Sequence, residues 1–244
     1  MILAVTLITA CSKETKKAHL LGEANAYFKA GNYDKAKLAY INVLQLDPQN
    51  ALAYERIGAM WQDDNAPLKA GAFLAKASEL DPKNAQNRVR LARCYLAIGQ
   101  FAAAKKEALK ILEQAPDNSD AISALAEAAR SNEDIEAAWE QLEKFPKKND
   151  VWFHLALANL SLHKGDVAAA TEAVRQALVA DPNSSAAHMA MGDLYLFQKD
   201  QKQAIEEYKK AADLAPVRSV ERLKYAAFSA ATGGAEETEE LPPR

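Results

Sequence analysis

Residues 85–116 read AQNRVRLARCYLAIGQFAAAKKEALKILEQAP. Leu91, Ala92 and Tyr95 stand at i, i+1 and i+4, the spacing of one helix face. Gly99 breaks that helix, because a residue without Cβ takes turn dihedrals at little cost. A second helix follows, with Ala104, Ala108 and Ile111 on one face, and Pro116 closes the unit. Similar units close at Asp47-Pro48, Asp81-Pro82, Asp181-Pro182 and Ala215-Pro216. Pro48, Pro82 and Pro116 are 34 residues apart, as are Pro182 and Pro216, and the step from Pro116 to Pro182 is 66. A two-helix unit recurring at a fixed period predicts a stack of units rather than one closed core.

Composition agrees with helix. Alanine is abundant and β-branched residues are few. Hydrophobic residues make up 49% of the chain and charged residues 26%, as in ordinary soluble protein. The formal net charge is −3, so a general nucleic-acid footprint is not indicated. Glu236, Glu237, Glu239 and Glu240 against Arg244 account for that excess. The two cysteines, Cys11 and Cys94, are too few for a disulfide framework. Cys94 lies within an expected helix and reads as a small buried apolar residue.

The units resemble tetratricopeptide repeats. That family places a large apolar residue at position 4, apolar at 7, small at 8 and aromatic at 11. It has small residues at 20 and 27, a large one at 24 and proline at 32. Repeat 17–50 supplies Leu20, Ala24, Tyr27, Ala36, Tyr40 and Pro48, with Gly31 at its turn. Repeat 51–84 supplies Tyr54, Ile57, Gly58, Trp61, Ala70, Leu74, Ala77 and Pro82. Repeat 85–118 follows the opening stretch, with Arg88 off the pattern. Repeat 119–150 is two residues short: Ile122, Leu125, Ala126, Ala138 and Leu142 fit, Ala129 replaces the aromatic, and Pro146 stops the second helix near Phe145. Repeat 151–184 supplies Leu157, Ala158, Ala170, Val174, Ala177 and Pro182. Repeat 185–218 supplies Met191, Gly192, Tyr195, Ala204, Tyr208, Ala211 and Pro216. His154 and His188 stand at position 4 of these last two. Residues 219–232 read as a capping helix, or as the first helix of a seventh unit. Segment 235–244, AEETEELPPR, has almost no apolar content and is expected to be disordered. The resemblance implies an all-α solenoid: a right-handed superhelix of about six helix-turn-helix repeats over 17–218, plus the cap.

The N-terminus carries a second resemblance. Residues 1–10, MILAVTLITA, form an apolar run too short to span a hydrocarbon layer, for which about 20 residues are needed, but long enough for the core of a signal peptide. It ends Leu7-Ile8-Thr9-Ala10-Cys11, similar to the lipobox of bacterial lipoproteins. Ile8 stands where leucine is commoner, and a basic leader is missing before Ile2. The resemblance implies cleavage after Ala10 and lipidation of Cys11, with 11–16 as a polar tether. Ser12 resembles the outer-membrane sorting class. The rival reading is an incidental cysteine after a stray apolar start.

Motifs for catalysis are missing. The sequence contains no phosphate loop, Gly-x-Gly-x-x-Gly, Gly-x-Ser-x-Gly or His-Glu-x-x-His. His154 and His163 are nine residues apart on one expected helix, too far to share a metal. His154 and His188 read as packing residues rather than a metal pair. No cofactor and no catalytic residue are expected.

The family's inward positions, 2, 5, 9, 12 and 13, define the candidate binding surface. In the last two repeats they carry Trp152, Leu155, Asn159, Leu162, Met189, Asp193, Leu196 and Phe197. Earlier repeats offer a more polar lining that includes Asn25, Phe28, Arg93 and Arg130. An apolar patch with a tryptophan that packing does not require suggests an interaction site; the competing reading is packing between repeats. A carboxylate-clamp resemblance is incomplete, because only Asn25 and Arg90 match it. The expected function is a non-enzymatic scaffold that binds a protein or peptide in a concave groove. It would be anchored through Cys11 to the outer membrane facing the periplasm, within a secretion, pilus, outer-membrane assembly or exopolysaccharide export system. The alternatives are a cytoplasmic adaptor, or the recruitment part of a longer enzyme or export protein.

Overall fold

The computed structural model describes residues 2–216 and 219–232, with side chains from Glu14 onward. The described residues form thirteen α-helices and no strand. Contacts divide the chain between Ile98 and Gly99 into two compact units. The first holds α1 (Ile2–Lys29), α2 (Tyr33–Leu46), α3 (Ala51–Asp63), α4 (Pro67–Leu80) and α5 (Ala85–Ala97). The second holds α6 (Phe101–Gln114), α7 (Ser119–Ala128), α8 (Asn132–Lys144), α9 (Val151–His163), α10 (Val167–Ala180), α11 (Ser185–Phe197), α12 (Gln201–Leu214) and α13 (Val220–Ala231). The all-α array of helix pairs with a terminal helix is as the sequence implies.

The connections follow from local chemistry. In Asp47-Pro48-Gln49-Asn50, Asp47 ends α2 and accepts the Gln49 N–H at 3.2 Å, and Asn50 caps α3 by accepting the Ala53 N–H at 3.0 Å. Asn84 and Asn118 cap α5 and α7 in the same way, and Ser184 caps α11. Each cap satisfies one backbone N–H that the first helical turn leaves open. Within a repeat, the turn is closed by one left-handed residue at a constant place: Gly31, Asn65, Gly99, Gly165 and Lys199, with φ of 54 to 77°. Glycine holds three of those five places, as left-handed dihedrals favour.

The fourth repeat breaks that scheme. α7 is 10 residues long where α3, α5, α9 and α11 have 13, and Ala129 leaves it extended at ψ 127°. α8 restarts with a capping box between Ser131 and Asp134. It stops at Lys144, and Phe145 is extended, ψ 127°, as the residue before Pro146 must be. Lys148 donates to the carbonyls of Leu142 and Glu143 at the end of α8, and buried Phe145 stacks on Phe153 at 6.2 Å.

Small residues set the spacing within the pairs. A Cβ on Gly58 would come within 2.6 Å of Leu74 Cγ, and one on Gly192 within 2.6 Å of the Tyr208 ring. Ala24, Ala92, Ala126 and Ala158 hold the same place in other repeats, all buried. In the first unit the core gathers Ala24, Tyr40, Val43, Ile57 and Met60, followed by Ala70, Leu74, Leu91 and Cys94. In the second it gathers Ala158, Val174, Met191 and Leu194, followed by Ala204, Tyr208 and Tyr225. Segment 11–16, read as a polar tether, lies within α1. The Cys11 side chain and the acidic stretch 235–244 lie outside the described residues.

Candidate protein-binding groove

In the second unit, the first helices of three successive pairs line a groove of about 270 Å³. α7 contributes Ser123 and Glu127, α9 contributes Trp152, Leu155, Asn159 and Leu162, and α11 contributes Met189 and Asp193. Ala158, Val174, Ala190 and Leu194 complete it from the core side. Six of the eight inward residues read from the last two repeats therefore meet here. Leu196 and Phe197 continue the same face of α11 outside the groove, with Phe197 68% exposed. α9 explains the apolar character: its outward stripe of Trp152, Leu155 and Leu162 is as apolar as the stripe of Leu157, Ala158 and Ser161 that faces its partners. A helix that is apolar all round needs cover on both faces.

The polar groups are few and placed by the same register. Asn25 and Asp193 hold equivalent places, and each accepts a tyrosine hydroxyl from the following helix at 2.6 Å, Tyr40 and Tyr208 respectively. Burial and the bond to Asp193 push the Tyr208 hydroxyl well above its ordinary pKa. Lys224 of α13 also donates to Asp193 Oδ1. Asn159 is the odd member. Valine stands at 174 where the pairs of Asn25 and Asp193 have Tyr40 and Tyr208, and Asn159 Oδ1 is buried without a hydrogen-bond partner.

The remaining sequence candidates are placed elsewhere. Asn25 is committed to Tyr40, and Phe28 carries the Arg56 guanidinium 4.7 Å over its ring. Arg93 is exposed on α5. Arg130 follows the short α7, donates to the carbonyls of Glu127 and Ala129 at 2.7 Å, and lies 3.5 Å over the Phe101 ring. It borders a separate hollow with Lys105 and Asp134. There Asp134 is ion-paired with Lys105, which lowers its pKa to about 2. Cys94 is buried, and that burial pushes its thiol up to about 11, far from a reactive thiolate.

Residues that sequence reading missed lie on α13. Val220 and Leu223 are 57% and 50% exposed. Counting from 219 in the 34-residue register, they occupy positions 2 and 5, the places of Trp152 and Leu155. The alternative reading of 219–232 as the first helix of a seventh unit puts these residues on the inner face, but the register was not carried past 218.

Models of the tetratricopeptide repeat match residues 24–63, 63–127, 140–184 and 155–218. Serine/threonine-protein phosphatase 5 of Rattus norvegicus is 30% identical over 99 residues, which is 41% of this chain and 20% of the phosphatase. The chain spans about a fifth of the length of the curated relatives it matches. A tetratricopeptide repeat protein from Parabacteroides merdae superposes with TM-score 0.64 at 14% identity, covering 92% of this chain and 90% of that one. A thermophilic protein of the same type from Thermus thermophilus superposes with TM-score 0.59 at 21% identity, covering 73% and 98%. At these identities the superpositions speak to the fold.

Proposed function

This chain belongs to the tetratricopeptide repeat family, and on that premise we propose that it is a non-enzymatic scaffold holding a segment of a partner protein in the groove of α7, α9 and α11. Arrays of this kind are suited to protein–protein interaction. The observation that carries the proposal is the second apolar face of α9. Trp152, Leu155 and Leu162 stand outside the positions that the repeat pattern uses for packing, and they converge with Met189 on one groove. A groove already formed by packed helices has a small ordering cost, so its contacts can go into affinity and specificity.

The tether is the second part of the proposal. Leu7-Ile8-Thr9-Ala10-Cys11 supports lipidation of Cys11 in a bacterial envelope, on the periplasmic side, where the scaffold would serve a secretion, pilus, outer-membrane assembly or export machine. One acyl chain gives marginal membrane binding and two or more give stable anchoring, so a multiply acylated cysteine would hold the protein firmly.

Crosslinking in cells, purification from membranes and mass spectrometry test both parts. Trp152→Ala combined with Phe197→Ala is expected to abolish partner capture with helical content unchanged; a loss of helix instead would mark those residues as structural. Cys11→Ser is expected to release the protein from the membrane fraction. If it stays there unchanged, the lipid tether is wrong and a cytoplasmic adaptor becomes the better reading.

A further inference from the structure

We propose that α13 carries a second interaction surface, on which a second copy of this chain packs its own α13, antiparallel and about a two-fold axis. Val220, Leu223, Ala227 and Ala230 follow at intervals of three, four and three residues, which sets them on one face of the helix. All four are exposed, while Tyr225 and Ser229 on the opposite face are buried. No residue of α13 lines the groove of α7, α9 and α11, so this face is separate from the one described above.

The stripe differs from its counterparts. Counted from 219, its residues occupy positions 2, 5, 9 and 12 of the repeat. At those places α7 has Asp120, Ser123, Glu127 and Arg130, α9 includes Asn159, and α11 includes Asp193. Among these four helices, α13 alone has no polar side chain there. An exposed apolar stripe of this kind gains free energy by contact that removes water.

The occupant follows from the asymmetry of the stripe along the helix. Its first half is large, Val220 and Leu223, and its second half is small, Ala227 and Ala230. An antiparallel pair sets Leu223 of one copy against Ala227 of the other, and Val220 against Ala230, so each large side chain lies over a small one. A parallel pair sets large on large and holds the alanines apart. Charge has the same polarity. Glu221, Arg222 and Lys224 all lie in the first half, and 225–231 carries no charge. Arg222 and Lys224 are also held within the chain, by the Ala215 carbonyl and by Asp193. Antiparallel packing lays each charged half over an uncharged one; parallel packing brings like charges together. A patch complementary to its own reverse is what a two-fold contact between identical chains requires. The 12 residues of α13 make a helix about 18 Å long. Two such helices bury less than the about 1,200 Å² of a standard interface, so the dimer is weak, with a Kd on the order of 10–100 μM.

The test is sedimentation velocity of the full chain under reducing conditions, from about 1 to about 300 μM, where a reversible monomer–dimer equilibrium is expected. Leu223→Asp is expected to stay monomeric throughout, with the parent's helical content by circular dichroism, because residue 223 is exposed. Ala227→Leu adds apolar surface but overfills the small half, and is expected to weaken the dimer at least about tenfold. Leu223→Ala combined with Ala227→Leu puts large on small again and should restore it. A parent that stays monomeric, a Leu223→Asp variant that still dimerises, an Ala227→Leu variant that dimerises as tightly as the parent, or a paired exchange that restores nothing overturns the proposal. A monomeric parent whose Leu223→Asp variant also loses the crosslinked partner overturns it in favour of that partner as the occupant of the face.

Discussion

His154 and His188 hold the same place in successive repeats and meet opposite surroundings. The ring nitrogens of His188 face two acceptors, Glu207 Oε2 at 2.6 Å and the Pro182 carbonyl at 3.0 Å. Burial pushes the Glu207 carboxyl up, but the bonds from Lys210 and His188 outweigh it and hold the pKa below its ordinary value. Arg88 and Arg222 stand at the equivalent place and donate to the carbonyls of Pro82 and Ala215. A donor side chain here ties the first helix of a repeat to the turn before it, which accounts for residues that depart from the family's large apolar preference. His154 lacks that arrangement. Alanine stands at 173 where the sixth repeat has Glu207, and His154 Nδ1 is buried with no partner. Burial lowers its pKa from 6.5. The unfolded chain therefore takes up this proton first, so the native state loses stability as pH falls below about 6.5 toward the lowered folded value, and the loss is complete below that value. His154→Leu should raise stability by about 1 kcal/mol at neutral pH, through removal of an unsatisfied nitrogen. It should also flatten this part of the pH dependence. Urea midpoints at pH 7.5 and pH 5.5 for parent and variant check both; a parent that is equally stable at the two values contradicts the assignment.

Between helices, the decisive quantity is how closely the two members of a pair approach. α11 and α12 meet at Gly192, against which the Tyr208 ring lies close enough to exclude a Cβ. That ring is not free to swing aside, because its hydroxyl is bonded to Asp193 and its edge meets Phe228 at 5.3 Å and 72°. Gly192→Ala should gain up to about 1 kcal/mol of helix propensity and lose about 1–3 kcal/mol to overpacking. The expected net is destabilisation, with a loosened Tyr208–Asp193 bond, seen as a lower thermal midpoint and a downward shift in the tyrosine titration. A gain in stability would mean that the pair can spread without cost. This logic of small against large was readable in the sequence, because Gly58 and Gly192 return at the period of the prolines. The fourth repeat was harder to read. Nothing in Ala129-Arg130-Ser131 spells out that α7 ends at Ala128, since the restart depends on a capping box that competes with helix continuation. Arg130 consequently left the inner face on which the register had placed it. The orphaned state of Asn159 was hidden for another reason: it depends on what stands across the pair at Val174, not on Asn159 itself.

Within each unit, stability should be distributed repeat by repeat, because most helices pack on their neighbours in sequence, with α7 against α9 across the short α8 repeat as the exception. The end of such an array is its weak point, and here α13 covers it. Tyr225 is fully buried against Ala204, Tyr208 and Ala212, Phe228 packs on the same cluster, and Lys224 reaches back to Asp193. Tyr225→Asp places a charge where it has no aqueous shell, so α13 should detach rather than bury it. Loss of that ring's burial alone is on the order of 3 kcal/mol. Native-state hydrogen exchange should then show a graded response within the second unit: protection lost in α13, strongly reduced in α12 and α11, and little changed in α9 and α10. A uniform loss across α6 to α13 would show the unit to unfold as one cooperative body, and would count against stability assembled from neighbouring pairs. Because Met189 packs on the cluster that α13 covers, the same variant should also weaken capture of the partner with Trp152 and Asn159 left intact.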